Sequence, residues 1–312
     1  MTKKNLVVTV VPNWNLKEDL GECLQSLQRQ TYTNHLIVVV DNGSTDGSSE
    51  FVQTHYPDVQ LIPLPKNQGY AAALNVGIRY ALIQHADYVF ALNNDTVLEL
   101  NTLERLVQVL DSNIQIGIVS PKILYFDHPE RIYRLGDRSY KLLPIPLGFG
   151  NKWRDHPKYS RLLEFDYVSG CAMLIRATIF KDIGMFDTSF FMYYEDGDFC
   201  RRTRDHGYRI VCAGNAVLYH KASLSSKKIQ GFITQVRARN RVRFYRRHRH
   251  GPHPLLTYAI ISLVDFWRLA EYLLKGQTDQ MKPFVQGILQ GWREPLQPQN
   301  EDQVERGSYS ER

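Results

Sequence analysis

The side chains that could do chemistry in this chain are carboxylates, amides and one histidine, and they follow apolar runs. In IVVVDNGSTDGS, Asp41 ends such a run and is followed by Asn42, Gly43 and Ser44. A carboxylate there can accept from a base N–H or a ribose hydroxyl, and glycines allow close backbone approach. The same residues also fit a tight turn with Ser44 or Asp46 capping the next helix. In FALNNDT, Asn93, Asn94 and Asp95 follow another apolar run. Such a cluster could hold a hard divalent cation against a diphosphate, or form an Asx turn. Glu195, Asp196 and Asp198 lie within four residues at the head of a helical stretch. They fit helix-dipole capping, or mutual repulsion that raises a pKa and tunes a general base. His220 ends AVLYH; an isolated histidine is commonly structural, and imidazole is also a frequent metal ligand.

The elements that must position these groups alternate. Strands are expected at Asn5–Val11, Leu36–Val40, Val59–Ile62 and Tyr88–Leu92, with helices at Lys17–Arg29, Asp46–His55, Gly69–His85 and Glu99–Leu110. Continuous apolar strands alternating with helices predict an α/β fold whose mainly parallel sheet is covered on both faces. Ligands bind such sheets at the carboxyl ends of the strands, where the polar clusters above fall. The regular pattern breaks between Gly117 and Tyr167, then resumes with a strand at Tyr167–Arg176, a helix at Phe199–His206 and a short strand at Ala216–His220.

At 312 residues, with 43% hydrophobic and 22% charged residues, the chain can bury a sizeable core. Its four cysteines form no Cys-x-x-Cys pair, which argues against a zinc knuckle or disulfide scaffold and suits a reducing cytoplasm. The apolar run before Pro12 is too short for a signal-peptide core and reads as a strand. The net charge of +6 is uneven: Lys221–Lys275 holds twelve Lys and Arg against Asp265 and Glu271.

Taken in order, VVTVVPNWN, CLQSLQRQTY, IVVVDNGSTDGS, NQGYAAALNVGI, FALNNDT, YVSGCAMLIR, IGMFDTSFFMYYEDGDFCRR and VLYH resemble family 2 of the inverting glycosyltransferases, which have the GT-A fold. The likeness runs from about Leu6 to about His220, continues in RARNRVRFYRRH, and is greatest to bacterial rhamnosyltransferase-type enzymes of cell-surface polysaccharide synthesis. It implies that Pro12, Asn15 and Asp41 hold base and ribose, and that Gly69 and Asn75 lie beneath the nucleotide. Asn93, Asn94 and Asp95 match the motif for metal and diphosphate, and Gly170 matches the strand lining the sugar pocket. Glu195 and Asp196 match the acidic pair beside the acceptor, with Asp196 as the base, and His220 completes the site for Mg²⁺ or Mn²⁺. Asn93 stands where the family usually has a carboxylate, which weakens direct cation binding. The implied reaction moves a sugar from a nucleotide-diphosphate donor, such as dTDP-rhamnose, to a glycan or lipid-linked acceptor. A catalytically silent binding relative is the alternative.

The division expected is a GT-A domain over residues 1–225, basic and amphipathic helices over 226–294 and a disordered tail over 295–312. Seven arginines fall between Arg237 and Arg249. With no recognised nucleic-acid-binding motif beside them, an anionic membrane surface is the expected partner, not a nucleic acid. The next apolar stretch, Leu255–Leu274, contains Asp265, Arg268 and Glu271, and each charge costs ~2.5–3.5 kcal/mol at a bilayer centre. With Lys275 these charges span about 120° of a helix, so the stretch fits an interfacial helix of a peripheral protein on the inner face of the cell membrane better than a span.

Overall fold

Apolar strands without polar alternation need cover on both sides, and β1 (Val7–Asn13) is buried at every position. The computed structural model describes residues 4–140, 143–222, 230–248 and 254–296. After β1 come α1 (Lys17–Gln28), β2 (His35–Asp41), α2 (Ser48–His55), β3 (Gln60–Pro63), α3 (Tyr70–Ile83) and β4 (Tyr88–Leu92). These strands pair in parallel in the order β3-β2-β1-β4. Side chains alternate across β1 as strand geometry requires. Val8 and Val10 join Leu74 and Ile78 of α3 in one core layer. Val7 and Val11 meet Leu20, Leu24 and Leu27 of α1 in the other.

The second half extends the same sheet through β5 (Thr96–Leu98), α4 (Thr102–Ser112), β6 (Ile116–Tyr125), β7 (Ile132–Arg134), the hairpin β8 (Gly136–Tyr140) and β9 (Leu143–Phe149), and β10 (Leu162–Phe165). Then follow β11 (Ala172–Arg176), α5 (Ile179–Ile183), α6 (Glu195–Asp205) and β12 (Arg209–His220). β11 is antiparallel between β4 and β6, and β12 runs parallel to β6. The mainly parallel α/β sheet expected from the alternation is therefore present, with the antiparallel β11 inserted beside β4.

Three boundaries differ from expectation in ways that matter for the site. The Tyr167–Arg176 stretch is a turn as far as Cys171, which leaves Ser169 and Gly170 at the sheet edge. The helix expected at Phe199 begins at Glu195, so all three acids lie in its first turn. The strand expected at Ala216 begins at Arg209; an irregularity between Ala213 and Val217, around Gly214 and Asn215, hid its first part.

The chain ends in α7 (Gln230–His248), α8 (Pro254–Leu274) and α9 (Met281–Arg293). Phe244, Tyr245 and Ile261 of α7 and α8 enter the main core. The arginine-rich run, expected as a lipid-facing surface, is largely committed inward. Arg241 pairs with Asp265, Arg243 with Glu294 and Arg247 with Asp187 and Asp198, while Arg246 donates to the carbonyls of Gly291 and Glu294. Periodicity alone shows that α7 is helical, but its partners come from distant elements. Arg249, residues 223–229 at the expected boundary after the first domain, and all but the first two residues of the expected tail lie outside the described residues.

Candidate active site

The β1–β4 ladder ends at Val10, while β1 stays paired to β2 as far as Asn13. Pro12, which has no N–H to donate, therefore falls where one side of the strand has already parted from its neighbour. At this opening Asp41 is almost fully buried. Its Oδ1 accepts from Asn13 Nδ2 at 3.1 Å and from the Ser44 hydroxyl, and its Oδ2 accepts from Ser49 at 2.6 Å. Asn15 adopts a left-handed conformation, donates its N–H to Ser44 Oγ and accepts from Thr45 N–H. Asn94 Nδ2 donates to Asn13 Oδ1 at 2.7 Å. Asn13, which sequence reasoning missed, thus joins Asp41 to Asn94. Its signal was the alternate residue in PNWN, hidden because a buried strand terminus looks like any polar turn.

Asn42 was also missed as a site residue. It donates to Asn67 Oδ1 and Gly69 O and accepts from Gln68 N–H, which fastens the 67–69 loop to the end of β2. Gly69 has φ +91°, and a Cβ there would come within 2.5 Å of the Phe191 ring. Asn75, expected beneath the nucleotide, is buried in α3. Its amide donates to Phe186 O at 2.7 Å and accepts from Phe186 N–H at 3.1 Å, so both ends are used to hold α3 to the 184–186 turn.

Pairing of β5 with β12 sets His220 opposite Thr96 and so beside Asp95. His220 Nε2 lies 3.1 Å from Asp95 Oδ1, and both side chains are buried. Burial opposes charge on the imidazole, but the neighbouring Cys171 sulfur and the Asp95 carboxylate outweigh it and push the pKa up to about 12. Its Nδ1 has no hydrogen-bond partner among the described residues. Asn93 donates its N–H to Cys171 O, and its carbonyl accepts from Thr96 Oγ1.

A carboxylate oxygen and an imidazole, brought together where β5 pairs with β12, fit a divalent cation. No group of three or more His, Cys, Asp or Glu side chains suited to a metal occurs among the described residues. Donor phosphate oxygens and water would have to complete the shell.

The acidic turn opens α6. Asp196 Oδ2 accepts from Gly170 N–H at 2.9 Å, and its Oδ1 accepts from Gly197 N–H at 2.7 Å. Gly170 is needed for this approach, since a Cβ there would lie 3.0 Å from Asp196 Cβ. Glu195 is buried and its Oε2 has no hydrogen-bond partner among the described residues. Burial first, then the charges of Asp196 and Asp198, hold its carboxyl well above the usual range. Tyr70 donates to Gly170 O at 3.0 Å. Burial pushes its phenol up, and the charges of Glu195, Cys171, Asp196 and Asp95 add to that shift.

Asp198 belongs elsewhere. It binds Arg202, Arg247 and His248, and these partners hold it below the usual carboxylate range although burial alone would raise it. The three acids that look equivalent in sequence are thus one buried acid whose carboxyl is held well above the usual range, one acid seated against Gly170 and one structural ion-pair hub.

The sequence model of glycosyl transferase family 2 matches residues 8–184. The low-salt glycan biosynthesis hexosyltransferase Agl10 of Haloferax volcanii is 28% identical over 296 residues, covering 90% of this chain and 89% of that protein. An N-acetylglucosaminyl-diphospho-decaprenol L-rhamnosyltransferase of Mycobacterium tuberculosis is 29% identical over 224 residues, covering 65% of this chain and 72% of that protein. Among solved structures, a mannosyltransferase of Pyrobaculum calidifontis in complex with GDP-Man and Mn²⁺ superposes with a TM-score of 0.58 at 18% identity. That match covers 94% of this chain and 88% of the other. The strand order, the groups gathered where β1 parts from β4 and the match over more than half its length agree: the chain belongs to glycosyl transferase family 2 and has the GT-A fold.

Proposed function

We propose that this glycosyltransferase works by inversion on a nucleotide-diphosphate sugar, with Asp196 as general base. The observation that carries the reading is the division of labour among the acids: Asp95 lies beside His220, Asp196 is seated against Gly170, and the adjacent Cys171 carbonyl accepts from Asn93 N–H. Asp41, Asn13 and Asn15 would receive the base and ribose at the opening beside β1. Asp95 and His220, helped by Asn93 and Asn94, would hold Mg²⁺ or Mn²⁺. When bound, the cation supplies Lewis-acid stabilisation of charge on the leaving diphosphate.

Asp196 accepts the acceptor hydroxyl's proton as the new O–C1 bond forms. The C1–O bond to phosphate breaks on the opposite face, and the nucleoside diphosphate leaves with the electron pair. Glu195, its carboxyl held well above the usual range, is suited to donate a hydrogen bond to the sugar or the acceptor without competing for that proton. The proposed donor is a deoxysugar nucleotide such as dTDP-rhamnose and the proposed acceptor a lipid-linked glycan. Support for both comes from the named activity of the mycobacterial relative. A catalytically silent sugar-nucleotide binder is the second reading, favoured by Asn93 in place of an acid. Release of free nucleoside diphosphate from a panel of donors decides between them: turnover with one donor is expected, and binding of a donor without turnover would support the second reading.

A lipid-linked acceptor calls for contact with a membrane surface, and α8 is the element suited to it. Leu255, Leu256, Leu263, Phe266, Trp267 and Leu274 are each more than half exposed, and on a 3.6-residue helix they fall within an arc of ~120°. Asp265, Arg268, Glu271 and Lys275 lie outside that arc, and Asp265 is tied to Arg241. Among the described residues no helix is long and apolar enough to cross a membrane. An apolar stripe of this kind suits burial at the headgroup boundary. We expect the protein to co-sediment with vesicles containing anionic lipid. Because most of the α7 arginines are engaged internally, detergent should release it more readily than salt. Phe266→Glu combined with Trp267→Glu should reduce vesicle binding at least ~10-fold, because each charge opposes insertion of the apolar face. Unchanged binding by the double variant would remove α8 as the contact.

A further inference from the structure

The turn before the acidic pair has an unusual backbone. Phe191, Tyr193 and Tyr194 all have positive φ, at 62°, 65° and 72°. Left-handed conformations are unfavourable for aromatic residues and persist only where surrounding contacts enforce them. Here the enforcing contacts come from α7. Asn240, fully buried, donates through Nδ2 to the carbonyls of Phe190 at 2.7 Å, Met192 at 2.8 Å and Tyr193 at 2.8 Å. Its Oδ1 accepts from Arg239 Nε at 3.0 Å, so both ends of the amide are used. Arg239 also donates to Phe190 O at 3.2 Å. The Arg237 guanidinium lies over the Tyr193 ring at 4.1 Å, and Phe244 packs against Tyr194.

Three carbonyl oxygens converging on one buried point repel one another unless a donor sits among them. An amide supplies two N–H groups to them and one acceptor to Arg239; no carboxylate or aliphatic side chain of that size can do both. The held turn also reaches the donor side, because Ala71 N–H donates to Phe191 O beside Gly69. Its other end feeds directly into Glu195 and Asp196.

We propose that Asn240 is a positioning residue for sugar transfer. By drawing the 190, 192 and 193 carbonyls together it keeps the turn left-handed and Asp196 seated against Gly170. The RNR core of the arginine-rich run is then a clamp on the acidic turn. This inference rests on the reading of Asp196 as the base.

The test uses the full chain, the donor identified by turnover and that donor's nucleoside diphosphate as the binding probe. Asn240→Asp, which sets carboxylate oxygens against the three carbonyls, should lower kcat at least ~10-fold. Nucleoside diphosphate affinity should change less than threefold, and exchange of the Gly170 amide proton should accelerate. Asn240→Ser, which keeps one short donor, should show the same split to a smaller degree and serves if the Asp variant does not fold. Asp196→Asn is measured alongside. Wild-type kcat in folded Asn240 variants, next to an inactive Asp196→Asn, would overturn the clamp alone. Full turnover by Asp196→Asn would overturn the base reading and the clamp's target together. Equal losses of kcat and nucleotide affinity, or failure of both Asn240 variants to fold, would make Asn240 a general stability residue and overturn the proposal.

Discussion

Asp196→Asn should bind donor nearly as well as the unaltered enzyme and transfer sugar at least ~10²-fold more slowly, the lower end of a typical general-base contribution. The change preserves shape, and the amide oxygen can still accept the Gly170 or Gly197 N–H that Asp196 accepts now. One of the two hydrogen bonds that seat the side chain should therefore survive while the amide NH2 faces the other N–H, and the capacity to take a proton is lost. Glu195→Gln is the informative comparison. Burial and two neighbouring acids hold the Glu195 carboxyl well above the usual range, so an amide there should cost less. Asp198→Asn is a poor control despite its place in the sequence. Its carboxylate is fully buried among Arg202, Arg247 and His248, and removing one charge from such a group leaves the others uncompensated. Near-normal turnover by Asp196→Asn, or an equal loss in Glu195→Gln, would move the base elsewhere.

Excess EDTA should abolish turnover, and Mg²⁺ or Mn²⁺ should restore it. Asp95→Ala should lose both turnover and the metal-dependent part of nucleoside diphosphate binding, read by calorimetry with and without Mn²⁺. The reason lies in the poverty of the donor set. Asp95 and His220 are the two proposed ligands, 3.1 Å apart, and Asn93 offers a neutral amide where a second carboxylate would strengthen the set. A hard cation held by so few protein groups depends on phosphate oxygens for its remaining ligands. Cation and diphosphate should therefore bind with mutual enhancement, each weakly alone. Binding measured without turnover separates loss of the cation from loss of catalysis. Full activity in excess chelator, or nucleotide binding indifferent to Mn²⁺ and to Asp95→Ala, would remove the metal from the reaction.

The sequence alone determined what is local or repeated along the chain. β1, β2 and β4 are buried apolar runs and α1 is an amphipathic stripe, so their types follow from short-range pattern. The positions of Asp41 and Asn93–Asp95 follow because polar residues at the ends of buried parallel strands sit at the sheet's carboxyl edge. α9 lies within the 226–294 stretch expected as helical, but its contact with α7 was not legible, since it is made through Gly287 and Gly291 against the backbone of Gln235 and Arg239. What only the tertiary structure decided is partnership. His220 meets Asp95 because β12 pairs with β5 across more than a hundred residues. Asn13 joins Asp41 to Asn94 because β1 parts from β4 at Val10. Arginines that read in sequence as a charged surface turn inward, because Asp187, Asp198, Asp265 and Glu294 are brought to them from other elements. The three adjacent acids acquire three different states for the same reason. A side chain's charge and role depend on burial and on the groups that face it, and these are set by which elements pack together, not by its neighbours in the chain.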